Sequence, residues 1–343
     1  MKNKLLIIGG HGAVGSIILK DLIRKGIPES KIIIAGRNKE KMAAFIKKEK
    51  LAIDYLTLDI HQPVDKEVLK DIQMVLMCID QVDTKFVSEL INLKIDYVDI
   101  TANSDFIKAV NQLPETKDIS VITSVGLAPG LTNLATSYYV NKYQPKEVTI
   151  DILLGAGESH GEAAVHWMFD HINQPYKIKQ MSEPIKNFTL KRKVDFTPKL
   201  KNKVTYNFNF SDQHILQDSY PEIPITTYLG FDVNFISNSL HFLNKRSRLG
   251  WLESEKSISA LKKLMSRKII GNDDFAIYIS NGQPDKKGIS IYGNNEKEIT
   301  GKVASFVVYR VFTNSEKIGI KSIVGVCSLE EIITEMEIKS IGL

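Results

Sequence analysis

The residues whose types and spacing suit chemistry begin at the N-terminus. Gly10-His11-Gly12-Ala13-Val14-Gly15 follows the apolar run Lys4-Leu5-Leu6-Ile7-Ile8 and opens a helical period from Val14 to Lys25. Three glycines at this spacing, between a buried strand and a helix, suit a pyrophosphate. Gly10 is expected to permit the tight turn, Gly12 to let the backbone approach the phosphates, and Gly15 to let the helix press on the strand. The first amides of that helix then point at the anion. Roughly 20 residues further on, an NAD site places an acidic side chain on the ribose hydroxyls. Here the second strand, Lys31 to Ala35, runs into Gly36-Arg37-Asn38 instead. Arg37 offers a planar, permanently charged guanidinium that can grip a 2′-phosphate, and Lys39 or Lys41 adds charge nearby. NADP is the expected cofactor, held by Gly10, His11, Gly12, Ala13, Val14, Gly15, Arg37 and Asn38. The competing reading of Arg37 is a solvated charge at a helix start.

The elements behind these residues alternate. A helix is expected over Lys39 to Lys50 and a strand over Ile53 to Leu58, which stops at Asp59. Asp59 stands where it could accept a hydrogen bond from the adenine amino group, or it is a turn residue ahead of Pro63. Met74 to Ile79 is wholly apolar, as a central parallel strand covered on both faces must be. Its end, Cys78 to Gln81, therefore falls at the ligand crevice, and Cys78 is counted among the cofactor contacts. A helix from Asp83 to Leu93, a strand Tyr97-Val98-Asp99-Ile100, a short helix and a strand Val121 to Ser124 complete the series. Such alternation means an α/β fold, a Rossmann-type doubly wound parallel sheet with right-handed crossovers.

Composition bounds the rest. At 343 residues, with 43% hydrophobic and 25% charged residues, the chain has the length of two globular domains. A net charge of +5, with Lys and Arg dispersed, suits an anionic cofactor or a carboxylate-bearing small-molecule substrate and gives no nucleic-acid surface. Two cysteines, Cys78 and Cys327, without C-x-x-C spacing, argue against disulfides and zinc and for a reducing cytoplasm. The start Met1-Lys2-Asn3-Lys4 reads as having no cleavable leader, and no run is long enough to span a membrane.

From Glu147 the texture changes. Val148 to Leu154 reads as a strand leading into Gly155-Ala156-Gly157-Glu158-Ser159-His160-Gly161, where a glycine-flanked Glu, Ser and His could meet a ligand or where Ser159 simply caps a helix from Glu162 to Asn173. His160 and His166 are wrongly spaced for a metal pair, so no metal is expected. Val204 to Phe210 alternates apolar with polar as a half-buried antiparallel strand does, Thr227 to Phe235 does likewise, and Phe275 to Ile279 pairs with Ile289 to Tyr292 as a hairpin. Leu240 to Lys268 reads as long, basic and helical; its Arg246 and Arg248 either hold a substrate carboxylate or are solvated helix charges. Helices are expected over Ile299 to Phe312, opening at Thr300-Gly301-Lys302, and over Leu329 to Met336. The second domain is therefore α+β, on a mixed or antiparallel sheet.

Ser124-Val125-Gly126-Leu127-Ala128-Pro129-Gly130-Leu131, taken with the Gly10 to Gly15 turn, the strand end Tyr97 to Thr101 and Gly155-Ala156-Gly157, resembles the saccharopine dehydrogenase-like family of NADP-dependent oxidoreductases. The likeness is good from Met1 to about Asn141 and looser beyond. Family members share a Gly-Leu-x-Pro-Gly loop, usually with Asp where this chain has Ala128. The resemblance implies a dinucleotide-binding domain over 1–125 completed by C-terminal helices in 299–343, a substrate and dimerisation domain over 126–298, and a homodimer. It also implies reduction of a C–N double bond on an amino-acid-like or keto-acid substrate. For such a reaction Asp99 is the expected orienting or acid–base carboxylate, unless it is a helix cap, with His160 or Glu158 as the second candidate. Reduction of an enoyl C=C bond, or NADP binding without catalysis, are the alternatives.

Overall fold

The structure, a computed structural model, describes residues 2–157, 174–178, 181–245, 271–282 and 288–343. The chain divides into two compact units, Met1–Asn133 with Lys297–Ile332, and Leu134–Glu296 with Ile333–Leu343. In chain order come β1 (Lys4–Ile8), α1 (Ala13–Arg24), β2 (Ile32–Gly36), α2 (Lys39–Glu49), β3 (Asp54–Thr57), β4 (Ile72–Met77), α3 (Lys85–Asn92), β5 (Asp96–Asp99), α4 (Ser104–Asn111), β6 (Ser120–Thr123) and α5 (Thr132–Tyr143). There follow β7 (Val148–Leu154), the short pair β8 (Pro175–Tyr176) and β9 (Ile185–Lys186), β10 (Lys191–Val194), β11 (Lys203–Asn207), a helix Ser211–Ser219, β12 (Ile225–Phe231), a helix Asn234–Lys245, β13 (Asp274–Ser280) and β14 (Ile289–Asn294). A helix Glu296–Thr313, β15 (Gly319–Ser322), a helix Leu329–Met336 and β16 (Lys339–Ile341) close the chain.

The first unit is built on a parallel sheet in the order β15-β6-β5-β4-β1-β2-β3. The order reverses at β1, so the crevice beyond the carboxyl ends of β1 and β4 is where this architecture takes a ligand. Leu5 to Ile8 and Met74 to Met77 are almost wholly buried because helices cover both faces of the sheet. Each such side chain contributes about 1.5–3 kcal/mol by leaving water. The seventh strand, β15, is absent from the sequence reading: Gly319-Ile320-Lys321-Ser322 is too short and too polar to announce itself. It is held to the sheet edge by buried Asp96, which accepts from the amide of Ser120 at 2.8 Å and pairs with Lys317 Nζ at 2.5 Å.

The returning helix Glu296–Thr313 starts ahead of the expected Ile299, which makes Gly301 an interior residue and not an opening one. A Cβ there would lie 2.5 Å from Ile17 Cγ2, so the glycine serves close approach to α1. Buried Asp21 of α1 bonds to Ser305 Oγ of the same returning helix.

The second unit carries a mixed sheet in the order β10-β11-β12-β7-β13-β14-β16. Only β12 and β7 pair in parallel; the other pairs are antiparallel, the β13–β14 hairpin among them. β16 joins this sheet, and Ile333–Leu343 group with the second unit, while Lys297–Ile332 group with the first. The alternating Val204 to Phe210 stretch is a strand only to Asn207, and it is not half-buried: Thr205 and Asn207 are as buried as their apolar neighbours. Their polar groups are absorbed internally, Thr205 Oγ1 donating to Asp151 Oδ1 at 2.7 Å and Asn207 Oδ1 accepting from the amides of Thr189 and Leu190. Thr227 to Phe235 likewise splits, strand to Phe231 and helix from Asn234.

Candidate functional site

The glycine turn is shaped by contacts that admit no side chain. Gly9, not Gly10, adopts the left-handed conformation, at φ +79°. Gly10 is required for a different reason: a Cβ there would sit 2.7 Å from Ile34 Cγ2. At Gly15 a Cβ would lie 2.3 Å from Gly9 O and 2.9 Å from Gly10 Cα, which is the helix-on-turn packing expected of the third glycine. Gly12 is the N-cap of α1, and it supplies no capping side chain; the first turn holds no acidic residue. Ala13 and Val14 therefore present the amide end of the helix to whatever anion approaches.

Arg37 directly follows β2, exposed, and with no ion-pair partner among the described residues. Asn38 acts locally, for its side chain accepts from the amide of Lys41 at 2.8 Å and caps α2. Asp59, one residue past Leu58, whose amide bonds to Gly36 O, lies at the same sheet edge, and its carboxylate accepts from the amide of His61 at 3.1 Å. That is the turn geometry of the second reading. His11, half-buried, stands over Gly36: a Cβ on Gly36 would come within 3.0 Å of His11 Cε1. Burial, together with the charge of Lys41, holds its imidazole below the usual histidine range.

Across the switch point, the ends of β4 and β5 carry a buried network. Tyr97 and Asp99, two apart and so on one face of β5, are both inaccessible. Tyr97 OH donates to Asp99 Oδ2, and Gln81 Nε2 donates to both Tyr97 OH and, at 2.9 Å, Asp99 Oδ2. Asp99 Oδ1 accepts from the amide of Thr101 at 2.7 Å. It does not cap α4, whose N-cap is Asn103. Burial lifts the Asp99 carboxyl to about 7 against the three hydrogen bonds that favour its charged form, with the charge of Asp80 adding to the lift. Asp99, wholly buried, holds the Gln81 amide through Oδ2. Cys78 is half-buried, and burial together with Asp99 drives its thiol far up, so it is an inert packing group beside Gly9. Glu158 and His160 lie outside the described residues, as do Arg246 and Arg248.

A further set of atoms includes those of Thr123, Thr132 and Asn133, to which the sequence gives no role. Gln81 Oε1, Thr123 Oγ1, Ser124 Oγ, Thr132 Oγ1 and Asn133 Nδ2 are buried polar atoms with no hydrogen-bond partner in the protein, and so is His11 Nδ1. All six stand at or beyond the carboxyl end of a parallel strand, Thr132 and Asn133 beginning α5. Asn133 is held in place by accepting the amide of Gly130 at 2.7 Å, where Gly130 has φ +141°. Native proteins leave few such atoms unmatched. Five lie on the β4–β6 side and one beside β2, as the two ends of a dinucleotide laid across the switch point would demand. The glycine cradle and this row of atoms fit the group. The signal for them was present, as polar residues closing apolar parallel strands, but nothing in sequence says which lack internal partners.

Residues 5–146 match the family described as saccharopine dehydrogenase NADP binding domain. No curated protein sequence matches the chain significantly. Among solved structures, the chain is similar to apo saccharopine dehydrogenase (L-Glu forming) from Saccharomyces cerevisiae, at 14% identity and a TM-score of 0.63, covering 99% of this chain and 100% of that one. It is also similar to homospermidine synthase from Legionella pneumophila in complex with NAD, at 10% identity and a TM-score of 0.68, covering 100% and 92%. At these identities the two structures establish the fold. Residues 5–146 thus match a saccharopine dehydrogenase NADP-binding domain, and the chain as a whole shares its fold with saccharopine dehydrogenase and homospermidine synthase.

Proposed function

We propose that this chain is an NADPH-dependent reductase of a C–N double bond on an amino-acid-like or keto-acid substrate. The observation that carries the cofactor half of this reading is the row of unmatched buried polar atoms along the carboxyl edge of the parallel sheet. Ala13 and Val14 at the start of α1 bind the pyrophosphate, and Arg37 binds the 2′-phosphate in place of the carboxylate an NAD site would use. Gln81, Thr123, Ser124 and Asn133 bind the nicotinamide half. When bound, NADPH supplies the hydride, and the protein's part is orientation and proton placement. Asp99 fixes the Gln81 amide so that Nε2 faces inward and Oε1 is left to accept. The C–N assignment rests on the family. Asp99 as an orienting or acid–base carboxylate, with His160 or Glu158 as the second candidate, is the proposed catalytic set, the latter two on their place in the sequence after β7.

Among the described residues no helix is long and apolar enough to cross a membrane, and no three His, Cys, Asp or Glu side chains gather as metal ligands. A homodimer in the cytoplasm belongs to the same proposal, and light scattering of the purified chain tests its first part. The reaction is tested by following NADPH oxidation at 340 nm against paired amines and keto acids, with enoyl thioesters alongside. Turnover of an amine and keto-acid pair is the expected result. Consumption with the enoyl set alone refutes the C–N assignment, and NADPH binding without turnover of any pair refutes catalysis.

A further inference from the structure

The glycine turn carries one side chain that a pyrophosphate site does not need. His11 occupies the first variable position of the motif, and its ring covers Gly36, the last residue of β2. That strand end is where this fold reads the 2′ position of the ribose. The ring is half-buried and its Nδ1 is wholly enclosed with no partner in the protein. Arg37 follows Gly36 directly, and Lys41 of α2 is close enough for its charge to act on the ring. From β3, Asp59 stands at the same edge with Oδ1 engaged by His61 N. The turn itself brings no charged side chain, and the amide end of α1 adds positive potential.

We propose that His11 is a proton-linked reader of the cofactor's 2′-phosphate, neutral on its own and protonated when NADPH binds, so that NADPH binding takes up a proton that NADH binding does not. Without an anion, the influences that act on the ring oppose its charge: partial burial and Lys41, with the helix end adding to them. A phosphate dianion among these groups reverses the balance, because it is an acceptor for the imidazolium and a counter-charge to it. The sign follows. A group whose pKa rises on binding strengthens the complex below its free value, and that gain is lost as pH rises through its bound value; each unit of rise is about a tenfold change in affinity. Selectivity for NADPH over NADH is then greater at pH 6.5 than at pH 8.5. This rests on the NADPH reading above, and it makes His11 a specificity residue of that site.

The test is isothermal titration of the full chain with NADPH and with NADH from about pH 6.5 to 8.5, each in two buffers of different ionisation heat, beside His11→Gln. The phosphate's own titration near pH 6 is common to both proteins and cancels in their difference. The expected result is proton uptake by the wild type with NADPH, an NADPH affinity that falls about tenfold more steeply with pH than in His11→Gln, and a flat NADH affinity in both. Equal proton uptake and parallel pH curves in the two proteins overturn the role of His11 and leave NADPH binding standing. Failure of the wild type to bind NADPH at any pH overturns the cofactor reading and this inference together. Should His11→Gln not fold, the wild-type proton count alone decides: uptake with NADPH no greater than the free phosphate accounts for refutes the proposal.

Discussion

Asp99 is a buried carboxyl whose protonation is tied to folding. In the unfolded chain it titrates at the ordinary value of 3.8, and in the folded protein burial raises it to about 7. The difference of about 3 units corresponds to about 4 kcal/mol. Because the folded state holds the proton more tightly, this contribution is fully present below pH 3.8 and is lost as pH rises through about 7. Asp99→Asn has no proton to lose. Its Oδ1 can still accept from Thr101 N, and Gln81 can flip to give its unmatched Oε1 to the new amide, a rearrangement costing on the order of 1 kcal/mol. About one unit of the shift is already lost at pH 5, so the variant is expected to be about as stable as wild type at pH 5 and more stable at pH 8, with a relative change of about 2.5–3 kcal/mol between them. Two units unfold in this chain, so a single global transition is the wrong readout. Urea-dependent amide exchange in peptides spanning β4 and β5, corrected for intrinsic rates and compared at pH 5, 6, 7 and 8, reports the first unit alone. Parallel pH profiles for wild type and variant would refute the reasoning, for they would mean that Asp99 keeps an ordinary pKa and that its network is open to water.

Arg37→Glu is expected to weaken NADPH binding by about 2 kcal/mol while leaving NADH nearly unchanged, the loss of a charge-assisted contact; equal losses for both cofactors would place the 2′-phosphate elsewhere. Thr123→Val removes a buried hydroxyl that has no partner in the protein, so thermal stability should hold or rise by about 1 kcal/mol while cofactor affinity falls; a destabilised variant with unaltered affinity would make the hydroxyl structural. Arg192→Met leaves Asp151, buried on β7 with its carboxyl raised to about 6 even beside Arg192, without its cation. The loss should be about 3–5 kcal/mol at pH 8 and smaller at pH 5, where Asp151 is neutral, and a pH-independent loss in urea-dependent amide exchange of peptides spanning β7 would show that Arg192 acts by packing on Tyr228.

The first unit was legible because its rules are local. An apolar run buried on both faces, a glycine spacing set by backbone clearance and an arginine at one strand end are properties of contiguous residues. β1, β2 and β4 were therefore placed to within two residues or so, and Gly15 was given its role. What escaped depends on partners far along the chain. β15 pairs with β6 across nearly 200 residues, its edge secured by Lys317 on Asp96. Gly301 was read as a helix opening because nothing near it in sequence reveals that Ile17 lies against it. Thr205 and Asn207 alternated like solvent-facing residues, yet their acceptors and donors come from Asp151 and from the Thr189-Leu190 backbone. Alternation records polarity, and polarity does not distinguish water from a buried partner.

The same distinction locates the site. In the second sheet, buried polar residues mostly meet one another: Thr149 with Ser280 at 2.8 Å, Thr205 with Asp151, and Thr227 with Asp212 at 2.8 Å. Unmatched there are Ser211 Oγ and Gln217 Oε1 of the helix Ser211–Ser219, and Asp151 Oδ2 and Arg192 Nε, which face each other as an ion pair at 3.4 Å; these form no row along the carboxyl edge of a parallel sheet. In the first unit the unmatched atoms do form such a row, and they stand at the one edge where every strand ends and every crossover begins. An unpaired buried donor or acceptor costs about 1–3 kcal/mol, so six of them are a strain that folding alone gives no reason to keep. A dinucleotide laid from His11 to Asn133 removes that strain. It follows that cofactor binding should raise the stability of the first unit by more than its phosphate contacts account for, and that most of the excess should vanish in Thr123→Val, Ser124→Ala. If amide exchange in β6 and the first turn of α5 is slowed no further in wild type than in that double variant at saturating NADPH, the row of atoms has no part in holding the cofactor.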